Sequence, residues 1–199
     1  VLTQRTGAGQ PSSDPQGIEN DGCTGTGGCA NGEATTPFTQ PVVANFTLVG
    51  TGKTGNAGSS GGVGMMLRRG TAGYYVNGVV ARWPRAGVSL RDTSTYNRAG
   101  ATATQDLATA DLALKNILFA EVPAVFQTGG SSAQNTLDLA GNALTNSSGA
   151  LSTILAGVPP DATAATTESN LDFRPVAGSA AASGGLTTFT GKLQARAGS

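Results

Sequence analysis

The chain has 199 residues, among them 30 glycines and no histidine; 12% are charged and the formal net charge is zero. Neutrality gives no field to draw nucleic acid or an anionic membrane. The lack of histidine removes the commonest general base, the Ser-His triad and the commonest metal ligand.

The chain opens VLTQRTG without a Met, and Val1-Leu2 reads as the middle of a strand, so a processed or truncated chain is expected. Residues 11–37 read as an irregular stretch around CTGTGGC. Cys23 and Cys29 sit six apart in a glycine-rich loop that can close on itself, and two thiols alone make no structural zinc site. A disulfide in an oxidising compartment is therefore expected, with free thiols in a reducing compartment as the alternative. Upstream, Asp14, Glu19, Asn20 and Asp21 offer hard oxygen ligands for calcium but match no EF-hand or RTX loop. An acidic turn bonded by its own side chains is the competing reading. Gly25, Gly27 and Gly28 read as loop glycines, because no Walker lysine or strand–turn–helix context accompanies them.

The central region repeats itself. VVANFTLVG, YYVNGVVAR and LALKNILFA align on Asn45, Asn77 and Asn116, which lie 32 and 39 residues apart. A second short strand follows each: GMMLRRG at 64–70, GVSLRD at 87–92 and PAVFQT at 123–128. Short β segments recurring at this period predict a solenoid, here an all-β parallel β-helix. Alternate residues of a strand share a face. Val43/Tyr75/Leu114, Phe46/Gly78/Ile117 and Leu48/Val80/Phe119 form one inward face only if the parity switches at the asparagine. Asn tolerates left-handed backbone angles, and stacked asparagines can hydrogen-bond up a ladder. Met65/Val88 and Leu67/Leu90 become inward partners. Cross-rung ion pairs are expected at Arg69/Asp92 and Arg82/Glu121.

Residues 51–62 and 92–106 read as polar loops without core packing. SSGALSTILAG, 147–157, predicts a short helix stopped at Gly157. Residues 171–189 read as extended chain and turns that cover the open end of the solenoid. One domain over 1–199 results: an irregular N-terminal rung and disulfide loop (1–40), regular rungs (41–130), and an irregular capping region containing the short helix (131–199).

GIEND (17–21), NFTLVGTG (45–52), GMMLRRGT (64–71), NGVVARW (77–83) and LDFRPVAGSAAASGGLTTFTG (171–191), in that order, resemble a group of bacterial exported proteins. These are right-handed parallel β-helices, described as secreted proteins or lipoproteins of unknown role. The resemblance implies an exported protein, in the periplasm, at the outer surface or extracellular, of which this chain is the C-terminal part. It carries no established catalytic residues.

For sites, the fold admits polysaccharide lyases and hydrolases, but fold does not fix function. A polar face of Arg68, Arg91, Asp92 and Glu121 is the candidate for such chemistry; a solvated, salt-bridged surface is the competing reading, since no acid pair recurs at a catalytic spacing. No catalytic residue, metal or cofactor is assigned. The same parity turns Thr47, Val49, Val79, Ala81, Leu118 and Ala120 outward as an uncharged strip, either covered by the chain's own loops or docking another protein. Trp83, before Pro84, is a buried indole or a sugar platform. No stretch approaches the ~20 apolar residues of a membrane helix. The reading is a non-catalytic structural or interaction module in a larger assembly; the alternative binds or cleaves polysaccharide along the β-helix face.

Overall fold

The computed structural model describes residues 2–3, 15–23, 33, 35–52, 61–100, 105–130, 133–157 and 172–197. Odd and even strands go to different sheets. β1 (Leu2–Thr3), β3 (Val42–Val49), β5 (Gly73–Ala81), β7 (Leu112–Ala120) and β9 (Leu144–Ser147) stack in that order in one sheet. The other holds β2 (Ile18–Asp21), β4 (Val63–Arg68), β6 (Ala86–Arg91) and β8 (Gln134–Asn135). Every neighbouring pair is parallel except β6–β8. A chain that alternates between two such sheets is a parallel β-helix.

Its corners are made by left-handed residues stacked in register. Asn45, Asn77 and Asn116 have φ of 55°, 56° and 54° and bend their strands in the middle. Arg82 and Glu121 (57° and 51°) turn the chain out of β5 and β7, and Arg69 and Asp92 (57° and 60°) turn it out of β4 and β6. The predicted parity switch follows. Leu48, Tyr75, Val80, Leu114, Ile117 and Phe119 are buried in one interior cluster with Met65, Leu67, Val88 and Leu90. Met65 pairs with Val88 and Leu67 with Leu90. Gly78 is needed beside Phe46: a Cβ there would lie 2.3 Å from the ring.

The structure corrects the reading in several places. IEND, inside the stretch read as irregular, is strand β2, because its main chain pairs with β4 and Asn20 Nδ2 donates to the Tyr75 hydroxyl. The third even strand is not regular. PAVFQT makes a single parallel bridge, Phe126 to Val88, and β8 then returns antiparallel along the end of β6. The supposed polar loop 92–106 begins with α1 (Thr93–Arg98), N-capped by Asp92, whose carboxylate accepts from Thr95 N at 2.7 Å. Thr95 and Ala99 are buried, since the Thr95 hydroxyl accepts from Gly70 N and satisfies its own polarity. The expected helix at 147–157 is one 3-10 turn, Leu151–Thr153.

The sequence pattern also stopped a rung early. β9 stacks on β7 with Ile117 facing Leu144, which puts Ala143 beside Asn116 at the bend with φ 52°.

Residues 171–189, read as extended chain covering an end, contain α2 (Ala180–Ser183), and α3 (Gly191–Ala197) follows in the same C-terminal segment. It lies on the outer face of the five-stranded sheet. Leu193 is buried against Tyr74, Val76 and Ala113. Lys192 Nζ reaches Asp111 Oδ1 at 2.7 Å. Outward apolar side chains of β5 and β7 supplied the surface that had to be covered.

Candidate functional site

The asparagines form the expected ladder, and it is directional. Asn77 Nδ2 donates to Asn45 Oδ1 at 3.3 Å, and Asn116 Nδ2 to Asn77 Oδ1 at 2.9 Å. Each amide hands its donor to the rung before. The C-terminal segment crosses this ladder. Leu186 N donates to Asn77 Oδ1 (2.8 Å), Asn77 Nδ2 to the Leu186 carbonyl (3.1 Å), and Asn116 Nδ2 to the Gly184 carbonyl (2.8 Å). The two ends of the ladder stay open: among the described residues, neither Asn45 Nδ2 nor Asn116 Oδ1 has a hydrogen-bond partner, the latter because Ala143 stands where a fourth amide would donate.

Beside the ladder, between the sheet and the crossing segment, is a cleft of about 390 Å³. Val79 and Leu118 line it from the sheet, and Leu155, Phe173 and Pro175 from the covering segments. Thr47 and Thr145 also line it. Among the described residues, no charged one does.

The outward strip is thereby divided. Val49, Val79, Ala81 and Ala120 are buried with Leu151 of the chain's own 3-10 turn and with Ile154 and Leu155 just after it, and Leu118 and Phe173 pack against them. Most of its apolar surface is therefore packed against a segment of the same chain, which removes it from water. Thr47, Val79 and Leu118 border the cleft.

The polar face does not assemble. Arg68 and Arg91 stack at the ends of β4 and β6, and Asp92 follows at their corner, but Glu121 turns the chain at the end of the other sheet. Each group has a structural partner. Arg68 Nε binds Asp21 Oδ1 at 2.5 Å, and its guanidinium also engages Glu19. Arg91 Nε donates to Ser89 Oγ at 3.1 Å. Asp92 does not pair with the Arg69 guanidinium; it accepts from Arg69 N at 2.6 Å, while that guanidinium binds Asp21. The left-handed corner points the Arg69 amide at the next rung and sends its side chain to the previous one. The Arg82–Glu121 pair does form, at 3.4 Å, and the second Glu121 oxygen accepts from Leu151 N, holding the 3-10 turn.

Glu19 and Asp21 are thus neutralised by arginines; Asp14, like Gly25, Gly27 and Gly28, lies outside the described residues. Cys29 does too, so the Cys23–Cys29 pairing is not settled by the described residues. Trp83 is 1% exposed, with Nε1 donating to the Leu48 carbonyl at 3.3 Å, so it is a core residue and not a sugar platform. Flanking glycines make room for it: a Cβ on Gly17 would come within 2.8 Å of the indole.

Two groups have acidities shifted mainly by burial. Burial pushes the Tyr75 hydroxyl above its ordinary value, against the Asn20 hydrogen bond that lowers it. Desolvation lowers Lys115, against Asp106 and Asp138, which raise it. Lys115 Nζ donates to Asn142 Oδ1 at 2.6 Å, and Lys115 is not among the residues that line the cleft.

A family model described as a pectate-lyase-like β-helix domain matches residues 4–167. The chain belongs to this family. No curated protein and no solved structure matches it significantly. In this pectate-lyase-like β-helix, no helix among the described residues is long and apolar enough to cross a membrane. The cleft residues Thr145, Phe173 and Pro175 escaped the sequence reading. The only signal for them was the weak repeat at Ala143–Ser147, where the marker asparagine is displaced to Asn142.

Proposed function

We propose that this protein is a non-catalytic β-helix module of an exported assembly, which binds or supports what it meets and does not convert it. The observation that carries this reading is the state of the acids. Every described carboxylate accepts a hydrogen bond or ion pair from its own chain: Glu19 and Asp21 from arginines, Glu33 from Ser94, Asp92 from α1, Asp106 and Asp138 from nearby main-chain N–H groups, Asp111 from Lys192, Glu121 from Leu151, and Asp172 from Arg174. Acid–base hydrolysis or elimination needs a group free to exchange a proton at the substrate, and the chain has no histidine to supply one. Export is supported by the family and by the Cys23/Cys29 spacing, which suits a disulfide. Incubation with a polysaccharide panel, followed by assays for new reducing ends and for unsaturated sugars, is expected to show no product. Sustained turnover would overturn the proposal. Isolation from native cell envelopes is expected to bring down a stoichiometric assembly, and alkylation is expected to label both cysteines only after reduction.

A second reading is carbohydrate binding without cleavage. The cleft on the outer face of a pectate-lyase-like β-helix, with no charged lining among the described residues, favours it.

A further inference from the structure

We infer that the cleft at the asparagine ladder binds a neutral saccharide and rejects acidic ones. This rests on the carbohydrate-binding reading and gives it a site and a specificity. Pectate, the sugar in the family's description, is a polyanion, and a site for it needs cations. Among the described residues, none lines this cleft. An anionic ligand entering it would lose hydration without gaining an ion pair.

The groups left over define what fits. Asn77 spends its amide on Asn45, Asn116 and the main chain of Leu186, so a second peptide strand finds no amide pair there. What remains is one amide donor, Asn45 Nδ2, one amide acceptor, Asn116 Oδ1, and the Thr47 and Thr145 hydroxyls, none with a hydrogen-bond partner among the described residues. Donor and acceptor lie two rungs apart, about 10 Å at the usual strand spacing. Sugar hydroxyls both donate and accept, and satisfy isolated groups of either kind. The apolar wall of Phe173 and Pro175 and the Leu118 floor suit the C–H faces of a pyranose. At about 390 Å³ the cleft lies near the lower end of the usual small-molecule range of about 300–1,000 Å³, enough for a short segment and not for an enclosed chain.

The test is calorimetric titration of the full chain with neutral gluco-, manno- and galacto-oligosaccharides and with oligogalacturonate, with and without calcium. At least one neutral sugar is expected to bind and oligogalacturonate is not. Two variants locate the site. Ala143→Asn supplies a fourth amide that donates to Asn116 Oδ1; it is expected to raise thermal stability and lower affinity at least tenfold, so the loss cannot be ascribed to misfolding. Thr145→Val, on the exposed edge strand, is expected to lower affinity several-fold with unchanged melting. Equal or tighter binding of oligogalacturonate would overturn the specificity and leave the carbohydrate reading standing. Neutral binding that both variants leave unchanged would overturn the site alone. No binding by any sugar would overturn both, and binding of a peptide spanning 184–190 in their place would assign the cleft to main chain instead.

Discussion

Asn45, Asn77 and Asn116 each do two things: they adopt a backbone angle that most residues avoid, and they place an amide where the next rung can use it. Ala143 does only the first, and carries the strain of a left-handed Cβ without compensation. Ala143→Asn is therefore expected to stabilise the fold by about 1 kcal/mol, from relief of that strain and one added hydrogen bond, as read from chemical denaturation. Tyr75 gives a pH dependence. Its folded pKa is raised by burial, so its contribution to stability is complete below the unfolded value near 10.0 and is lost as pH rises from there towards the folded value. Denaturant titrations at pH 8 and above pH 10 should show a drop in the parent protein. Tyr75→Phe should be less stable at pH 8, because Asn20 loses its acceptor, and should fall less steeply with pH.

At the level of the element, packing between successive rungs sets local stability. Phe46 of β3 occupies the space that a side chain on β5 would take at Gly78. Gly78→Ala should cost about 1–3 kcal/mol by overpacking, and Phe46→Leu in the same chain should return part of it; the double-mutant cycle measures the coupling. The 3-10 turn hangs on Glu121, which binds Arg82 with one oxygen and Leu151 N with the other. Glu121→Ala is expected to speed hydrogen exchange at Leu151 and its neighbours while the amides of β5 stay protected. The strands of the Asn repeat were legible because period, parity and residue type agreed. β2 was not, because IEND is a strand only through its pairing with β4. The α1 helix carried a legible capping signal in Asp92-Thr93-Ser94-Thr95, outweighed by the polarity of the loop around it.

Over the whole molecule, the C-terminal segment decides which surface the solenoid presents. It covers outward Tyr74, Val76 and Ala113 with Leu193, and seats Gly184 and Leu186 on the ladder. Leu193→Ala should destabilise by about 2–5 kcal/mol, and Leu193→Asp should release the segment and expose the apolar face, seen as new binding of a hydrophobic dye and as proteolysis within 172–197. The candidate polar face failed at this scale as well. Its members share a composition, but Glu121 ends one sheet and Arg68, Arg91 and Asp92 end the other.

The sequence by itself determined the β-helix, the inward register, the asparagine ladder and the Arg82–Glu121 pair. These rest on nearest-rung relations, and a repeat writes such relations into the spacing and parity of the chain. The tertiary structure alone decided what covers the outer face, where the cleft lies and which polar groups remain open within it. Those contacts join Asn77 to Leu186 and Asn116 to Gly184 across 109 and 68 residues, outside any repeat, where neither spacing nor residue type carries a signal.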